Sequence, residues 1–185
     1  MALVSTRKIL IKDETEVVIR CAHESDAPAL LEAVRSIFID GEGMVVEHDE
    51  FTKTEDQERA WIRAINDNPR ELLLLAEVEG RIVGNIDFHI AKRRRLDHSG
   101  EFGMSVQPGW RNRGIGSALL GSLIEWASGV KEVEKIGLKV RADNDRGIAL
   151  YKKHGFVQCG RLKDSMKLAD GVYVDDILME RFVRS

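Results

Sequence analysis

The stretch Val106-Gln-Pro-Gly-Trp-Arg-Asn-Arg-Gly-Ile-Gly-Ser117 decides how the rest of the chain reads. Before it, residues 100–106 (GEFGMSV) alternate Phe102, Met104 and Val106 with Glu101, Gly103 and Ser105, the period-two pattern of a strand. Pro108 ends that strand because it has no N–H for a ladder. After it, Ile115, Leu119, Leu120, Leu123, Ile124 and Ala127 form the apolar stripe of a helix starting near Gly114. Gly114 and Gly116 admit a positive φ and a close approach to backbone. Unpaired N–H groups at the helix start, with its dipole, favour an anion, and Arg111 and Arg113 add charge beside it. A tight turn with exposed arginines explains the same residues, so this segment alone leaves both readings open.

Two better-known phosphate loops do not fit. A Walker loop needs Gly-Lys-Ser/Thr, and Gly116 is followed directly by Ser117. A dinucleotide fingerprint needs a third glycine at position 119, which is Leu119, while the next glycine is Gly121.

Upstream, KILIK and EVVIRCA read as a hairpin whose first strand covers residues 7–12. Ser25 or Asp26 caps a helix with Pro28 in its first turn and an apolar face of Leu30, Leu31, Val34, Ile37 and Phe38. A second helix spans about Thr54 to Asn66, with Trp61, Ile62 and Ile65 inward. LLLLAEV and RIVGNIDFHI flank Glu79-Gly80 as an antiparallel hairpin, followed by the charged loop AKRRRLDHS. Downstream come the strand KIGLKV, the helix NDRGIALYKKH, the strand FVQCGRL, a polar loop with Asp170-Gly171 and the strand VYVDDILMERFV. The expected fold is α/β (α+β): one mixed, mostly antiparallel sheet of about seven strands, flanked by about four helices, with a β-α-β crossover in the middle. Strict strand–helix alternation is missing, which weighs against a doubly wound nucleotide fold.

The 185 residues carry 43% hydrophobic and 32% charged side chains, 16 Gly and 3 Pro, which suits a globular chain of one domain, read as 1–185. With 28 Lys+Arg against 31 Asp+Glu, the net charge of −3 offers no global field for nucleic acid or for an anionic membrane. The longest aliphatic run, Leu72 to Ala76, is far short of the roughly 20 residues of a membrane span, and no signal peptide is legible, so the cytoplasm is the expected location. Cys21 and Cys159 form neither a disulfide framework nor a metal spacing, and each is expected to be a small buried hydrophobe.

A second segment narrows the function. Asn144 to Phe156 reads NDRGIALYKKHGF, a helix with Asn144 as N-cap and Gly155 as C-cap. Together the two segments resemble the GCN5-related N-acetyltransferase (GNAT) superfamily. Its acyl-CoA signature Gln/Arg-x-x-Gly-x-Gly/Ala matches Arg111, Gly114 and Gly116. Its later pattern is similar to Asn144, Ala149, Tyr151, Gly155 and Phe156, with Ile148 where other members often carry a small residue. The likeness covers about residues 17–182, and the element order is the family's.

The resemblance implies an N-acetyltransferase that uses acetyl-CoA and no metal. It implies a cofactor site at Met104, Ser105, Val106, Arg111, Asn112, Arg113, Gly114, Ile115, Gly116, Ser117, Asn144 and Tyr151. Tyr151 stands where the family keeps a general-acid tyrosine, and backbone groups of Met104, Ser105 and Val106 would meet the thioester arm. The amine must lose a proton, because lysine and α-amino groups, with pKa of about 10.4 and 8, arrive largely protonated. Glu101 is the candidate base: it faces away from Phe102 and Met104, and it stands ten residues before the signature, as in acetyltransferases of the phosphinothricin group. His89, Asp97 and His98 are weaker substitutes, and an ordinary solvated glutamate is the bland alternative. Lys152 and Lys153 are candidates for a CoA phosphate or for a solvated helix face.

The acceptor would be read by the loops after the first helix and before the last strand. Glu42, Glu47, Asp49, Glu50, Asp175 and Asp176 make both acidic and suit a cationic amine. The ending Gly171-x-Tyr173-x-Asp175-x-x-x-Met179 is similar to members that acetylate amino acids, small amines or ribosomal-protein N-termini. Expected partners are thus acetyl-CoA and an amine, on a small molecule or a protein N-terminus, with room for a homodimer. No nucleic acid or membrane partner is expected. Two alternatives stay on the page: a non-catalytic acyl-CoA sensor of the same fold, and RNA binding through Lys92, Arg93, Arg94 and Arg95, a weak patch soon followed by Asp97.

Overall fold

Leu72-Leu-Leu-Leu-Ala76 lies at the centre of the molecule because both faces of its strand are covered. Leu72, Leu74 and Ala76 join one buried cluster, while Leu73 and Leu75 join another on the opposite side. The computed structural model describes residues 4–40, 48–168 and 171–184. In chain order these form β1 (Arg7–Leu10), β2 (Glu16–Cys21), α1 (Ala27–Asp40), α2 (Glu55–Asp67), β3 (Leu72–Val78), β4 (Arg81–Ile90), β5 (Ser99–Val106), α3 (Ile115–Gly129), β6 (Lys135–Arg141), α4 (Asp145–Lys153), β7 (Val157–Lys167) and β8 (Tyr173–Phe182).

One sheet runs β1-β2-β3-β4-β5-β6-β8-β7, antiparallel at every junction except β5–β6. α1 and α2 pack Leu30, Ala33, Ile62 and Ile65 onto one face, over Leu73, Leu75 and Ile82. α3 packs Ile115, Leu119, Leu120 and Leu123 onto the other, joined there by Tyr151 of α4. The stripes expected on α1, α2 and α3 face the core, buried except for the half-buried Val34 of α1 and Trp61 of α2. The sheet has eight strands where about seven were expected, and the N-terminal hairpin strand β1 pairs with β2 over four residues. β1 stops at Leu10, short of residue 12, because the Lys12 N–H leaves the hairpin and donates to the Arg113 carbonyl at 3.2 Å. β7 continues past Leu162 to Lys167 through a register shift between Leu162 and Met166. Asp164 takes a positive φ of 50° there, and its N–H donates to Asp175 Oδ1 at 2.8 Å.

The expected burial of the two cysteines is corrected. Cys21 is half-buried, and Cys159 is exposed because β7 is the edge strand and is open along nearly its whole length. Among the described residues no helix is long and apolar enough to cross a membrane.

The β3–β4 hairpin turns through Glu79 and Gly80, with φ of 48° and 79°. A two-residue turn with both φ positive follows the twist of its flanking strands, but it places the Cβ of Glu79 in the left-handed region. Asn tolerates that region better. Glu79→Asn is expected to stabilise the fold by up to about 1 kcal/mol, read as a higher urea midpoint at unchanged slope. A lower midpoint would mean that Glu79 makes a contact worth more than its backbone strain.

Candidate active site where two parallel strands part

β5 and β6 pair over only three positions, Ser99–Lys135, Gly100–Ile136 and Glu101–Gly137. Beyond Glu101, β5 runs on to Val106 and β6 to Arg141 with no register partner between them, so the strands part. On its other edge β5 stays paired with β4 as far as Gly84–Val106. In an antiparallel ladder alternate residues turn both backbone groups toward the same neighbour. The Ala91 N–H donates to the Ser99 carbonyl and the Gln107 N–H to the Val83 carbonyl, which sets the alternation. Glu101, Gly103 and Ser105 therefore spend their backbone groups on β4, and those of Met104 and Val106 point into the parting. The expectation that Ser105 also offers backbone there is corrected: it pairs with Asn85, and its hydroxyl donates to Asn85 Oδ1 at 2.9 Å.

On the α3–α4 side the parting opens into a cavity of about 460 Å³. Met104, Ser105, Val106, Arg111, Asn112, Gly114, Gly116, Ser117, Asn144 and Tyr151 all border it. Gly114 caps α3 with φ 108°, a conformation that L side chains rarely adopt. The first intrahelical bond runs from the Ala118 N–H to the Gly114 carbonyl. The N–H groups of Ile115, Gly116 and Ser117 precede it and have no carbonyl a turn earlier in the helix. A Cβ on Gly116 would touch Leu150 Cδ2 at 3.4 Å and Met104 Cε at 3.6 Å, so hydrogen at this position keeps the cradle open. Arg111 is braced by its Nε donating to the Val106 carbonyl at 3.1 Å. Asn144 serves its own helix, its Oδ1 accepting the Gly147 N–H at 2.9 Å.

Two expected residues stand apart. Arg113 turns to Asp13 of the N-terminal hairpin, 2.7 Å away, and lies over the Trp110 ring. The Ile115 side chain is in the core at 1% exposure, leaving only its backbone toward the cradle. In their place stand Lys12 and Arg146, which the motif reading missed; Lys153 borders the cavity and Lys152 does not. The only signal for Arg146 is its place among the variable positions after Asn144, and nothing local points to Lys12, which the hairpin carries in from about a hundred residues away. The cavity thus gathers Lys12, Arg111, Arg146 and Lys153 with no Asp or Glu among its described lining residues. A polyanion such as a CoA nucleotide fits this donor set: helix N–H groups and cations around a floor without side chains.

Tyr151 of α4 borders the cavity and is largely buried. Its ring stands edge-on to Phe102 and Phe156, with centroids 5.7 and 6.1 Å away. Its hydroxyl has no hydrogen-bond partner among the described residues, and burial pushes the phenol up to about 12. Ser117 Oγ and His154 Nε2 are 2.8 Å apart, tying the start of α3 to the end of α4. Burial holds His154 below its ordinary value, with the charges of Lys153 and Arg181 acting the same way.

Glu101 is on the other face of the sheet. There α1 and α2 cover β3 and part of β4, and a second cavity of about 490 Å³ opens over β4, β5, β6 and β8. Glu101, His89, Lys135, Gly137, Lys139 and Glu180 are among its lining residues. His89 is the register partner of Glu101 and is clamped by two carboxylates: Glu71 Oε2 lies 3.2 Å from Nδ1, and Asp87 Oδ2 lies 3.2 Å from Nε2. The hydrogen bond to Asp87 raises the His89 pKa, with Glu71 adding to it against the opposing effect of burial. Asp97 and His98 border neither cavity, and the carboxylate of Asp97 turns toward Arg70 at 3.8 Å. Glu42 and Glu47 lie outside the described residues. Among the described residues no group of three or more His, Cys, Asp and Glu converges as a metal site.

A mixed sheet with one pair of strands parting beside a cationic, glycine-floored helix start is the arrangement that the resemblance to the GNAT superfamily implies. The Acetyltransferase (GNAT) family model matches residues 31–156. The L-amino acid N-acetyltransferase AaaT of Escherichia coli is 34% identical over 167 residues, 90% of this chain and 98% of that protein. A GNAT-family acetyltransferase from Streptococcus pneumoniae has a TM-score of 0.87 at 26% identity, over 90% of this chain and 99% of that one. The structure of yncA from Salmonella typhimurium with its cofactor acetyl-CoA shares the fold, with a TM-score of 0.81 at 20% identity over 91% and 95% of the two chains. The chain belongs to the GNAT family and is an acetyl-CoA-dependent N-acetyltransferase.

The clamp on His89 has a pH signature. A histidine whose folded pKa is raised above its ordinary 6.5 stabilises the fold fully below that value and loses the contribution as pH rises through the folded value. The facing groups are Asp87 on the same strand, Glu71 before β3, Glu101 across β5 and Trp61 of α2, whose ring centroid is 6.1 Å away. Chemical denaturation of wild type and His89→Gln should show a stability gap widest near pH 6 and narrower by pH 9. A gap independent of pH would mean that His89 is held neutral.

Proposed function

We propose that the protein transfers the acetyl group of acetyl-CoA to a primary amine, on a small molecule or a protein N-terminus, by direct attack through the parting of β5 and β6. The observation that carries this reading is the pair of cavities on opposite faces of the sheet, both bordering the parted strands. The acidic carboxyl group lines one and the buried phenol the other. Donor and acceptor can thus approach each other through the sheet without sharing an entrance. The name of the Escherichia coli relative supports a small amine as acceptor.

Acetyl-CoA supplies an acyl group already activated as a thioester. The N–H groups at the start of α3, with Lys12, Arg111, Arg146 and Lys153, hold the phosphates. The N–H groups of Met104 and Val106 serve as fixed donors inside the parting, where stabilising a carbonyl oxygen counts most. Glu101 accepts the proton that the amine must lose, directly or through water. Tyr151 keeps its proton at any physiological pH and donates a hydrogen bond to the leaving sulfur. Complete transfer from a phenol near 12 to a thiolate of about 8.5 would run uphill, so hydrogen bonding is its main contribution.

In a thiol-release assay with acetyl-CoA and a panel of amines, Tyr151→Phe should lower kcat by about tenfold to a hundredfold, with a smaller effect on acetyl-CoA affinity. Unchanged turnover under chemistry-limited conditions would remove the hydroxyl from the reaction. Glu101→Gln should depress kcat/KM chiefly at low pH, where deprotonating the amine is hardest. An unaltered pH profile would assign the proton to another base or to solvent.

A further inference from the structure

The cavity on the Glu101 face carries a charge pattern that the reaction alone does not require. Its other cations are already engaged. Lys135 Nζ lies 3.0 Å from Glu180 Oε2, and both ring nitrogens of His89 face carboxylates. Arg161, on the neighbouring β7, is bound to Asp175 at 2.5 Å. Lys139 differs. It lines the cavity, it is exposed, and it has no ion-pair or hydrogen-bond partner among the described residues. Glu101, lining the same cavity, is also without a partner among them.

The strands explain why these opposite charges do not pair with each other. Glu101 is at the last paired position of β5, opposite Gly137. Lys139 is two residues further along β6 on the same face as Gly137, about 6–7 Å on at the rise of a strand. By then β6 has parted from β5. Gly137 leaves the floor between them bare: a Cβ there would lie 3.6 Å from Glu101 Cγ. Ile136, Leu138 and Val140 face the other way, into the core. An unspent carboxylate at the apex of the parting and an unspent ammonium along one arm are thus held apart across an open floor.

We propose that the acceptor is a zwitterionic α-amino acid and that Lys139 reads its carboxylate while Glu101 faces its amine. This rests on the N-acetyl transfer reading and narrows its acceptor. A free amino acid carries an ammonium and a carboxylate on one carbon, complementary to the two unspent charges. A protein N-terminus has an uncharged peptide carbonyl where Lys139 needs an anion. A polyamine brings a second cation, which Lys139 repels. The lysine is therefore a specificity residue for the acceptor and plays no part in holding acetyl-CoA, whose cations are on the opposite face.

The test compares free L-amino acids with their carboxamides, which keep the amine and lose the carboxylate charge. Wild type should favour the acid over the amide by tenfold or more in kcat/KM, as expected when one charge-assisted contact is lost. Lys139→Met should bring that ratio close to one, Lys139→Glu should reverse it, and Lys139→Arg should restore it. The change should appear in the KM for the amino acid more than in kcat. Thermal midpoints close to wild type would show that the variants fold. A wild-type ratio near one, or equal losses on acid and amide in Lys139→Met, would overturn the assignment. Turnover of peptide N-termini or diamines but not amino acids would overturn it and leave N-acetyl transfer standing. Acetyl-CoA binding by calorimetry with no turnover of any amine would defeat both.

Discussion

The three-residue contact between β5 and β6 is the constraint on which the site depends. Every other junction in the sheet is antiparallel, and β4 holds β5 along its whole length. Parallel pairing starts at Ser99 and stops at Glu101, so β5 presents one satisfied edge and one open edge. The open edge is tolerated because its backbone groups border an open cavity edged by Lys12, Arg111, Arg146 and Lys153 instead of closed core. The strand alternation then distributes the chemistry. Glu101 lines the cavity on one face, whereas Phe102, Met104 and Val106 turn toward the core on the other.

Charge follows the same division. A chain with a net charge of −3 builds one cavity bordered by four cations and, among described residues, no acid. It does so by drawing Lys12 from the N-terminal hairpin and Arg146 from α4 to the cradle at the start of α3. The hairpin is held there by the Lys12 N–H to the Arg113 carbonyl and by the Asp13–Arg113 ion pair. Arg113 thus fastens the element that brings Lys12. The opposite face mixes signs, and most of its charges neutralise one another locally.

Local patterning in the sequence was enough for the elements. The alternation in residues 100–106, the stripe from Ile115 to Ala127 and the Glu79-Gly80 turn each carry a period or a backbone preference that survives in the fold. The glycine cradle and Tyr151 were legible because they sit inside one contiguous motif each, matched to a known family. Lys12, the clamp on His89 and the unspent Lys139 were not. Each depends on which distant strand lies alongside, and no local period encodes that. Ser105 was misplaced for a related reason: side-chain alternation is readable in a strand, but which neighbour takes its backbone bonds depends on the partner's register. Cys159 was misjudged because an apolar run does not reveal that its strand will be the last in the sheet.

If the parted strands divide donor from acceptor, the backbone of Met104 and Val106 serves the donor. Amide hydrogen exchange followed by NMR, with and without saturating CoA, reads this directly. New protection is expected at Met104, Val106 and the Ile115–Ser117 amides, with Gly103, Ser105 and Lys139 unchanged. Protection concentrated at Lys139 and its neighbours on the Glu101 face, with Met104 and Val106 exchanging as before, would contradict it.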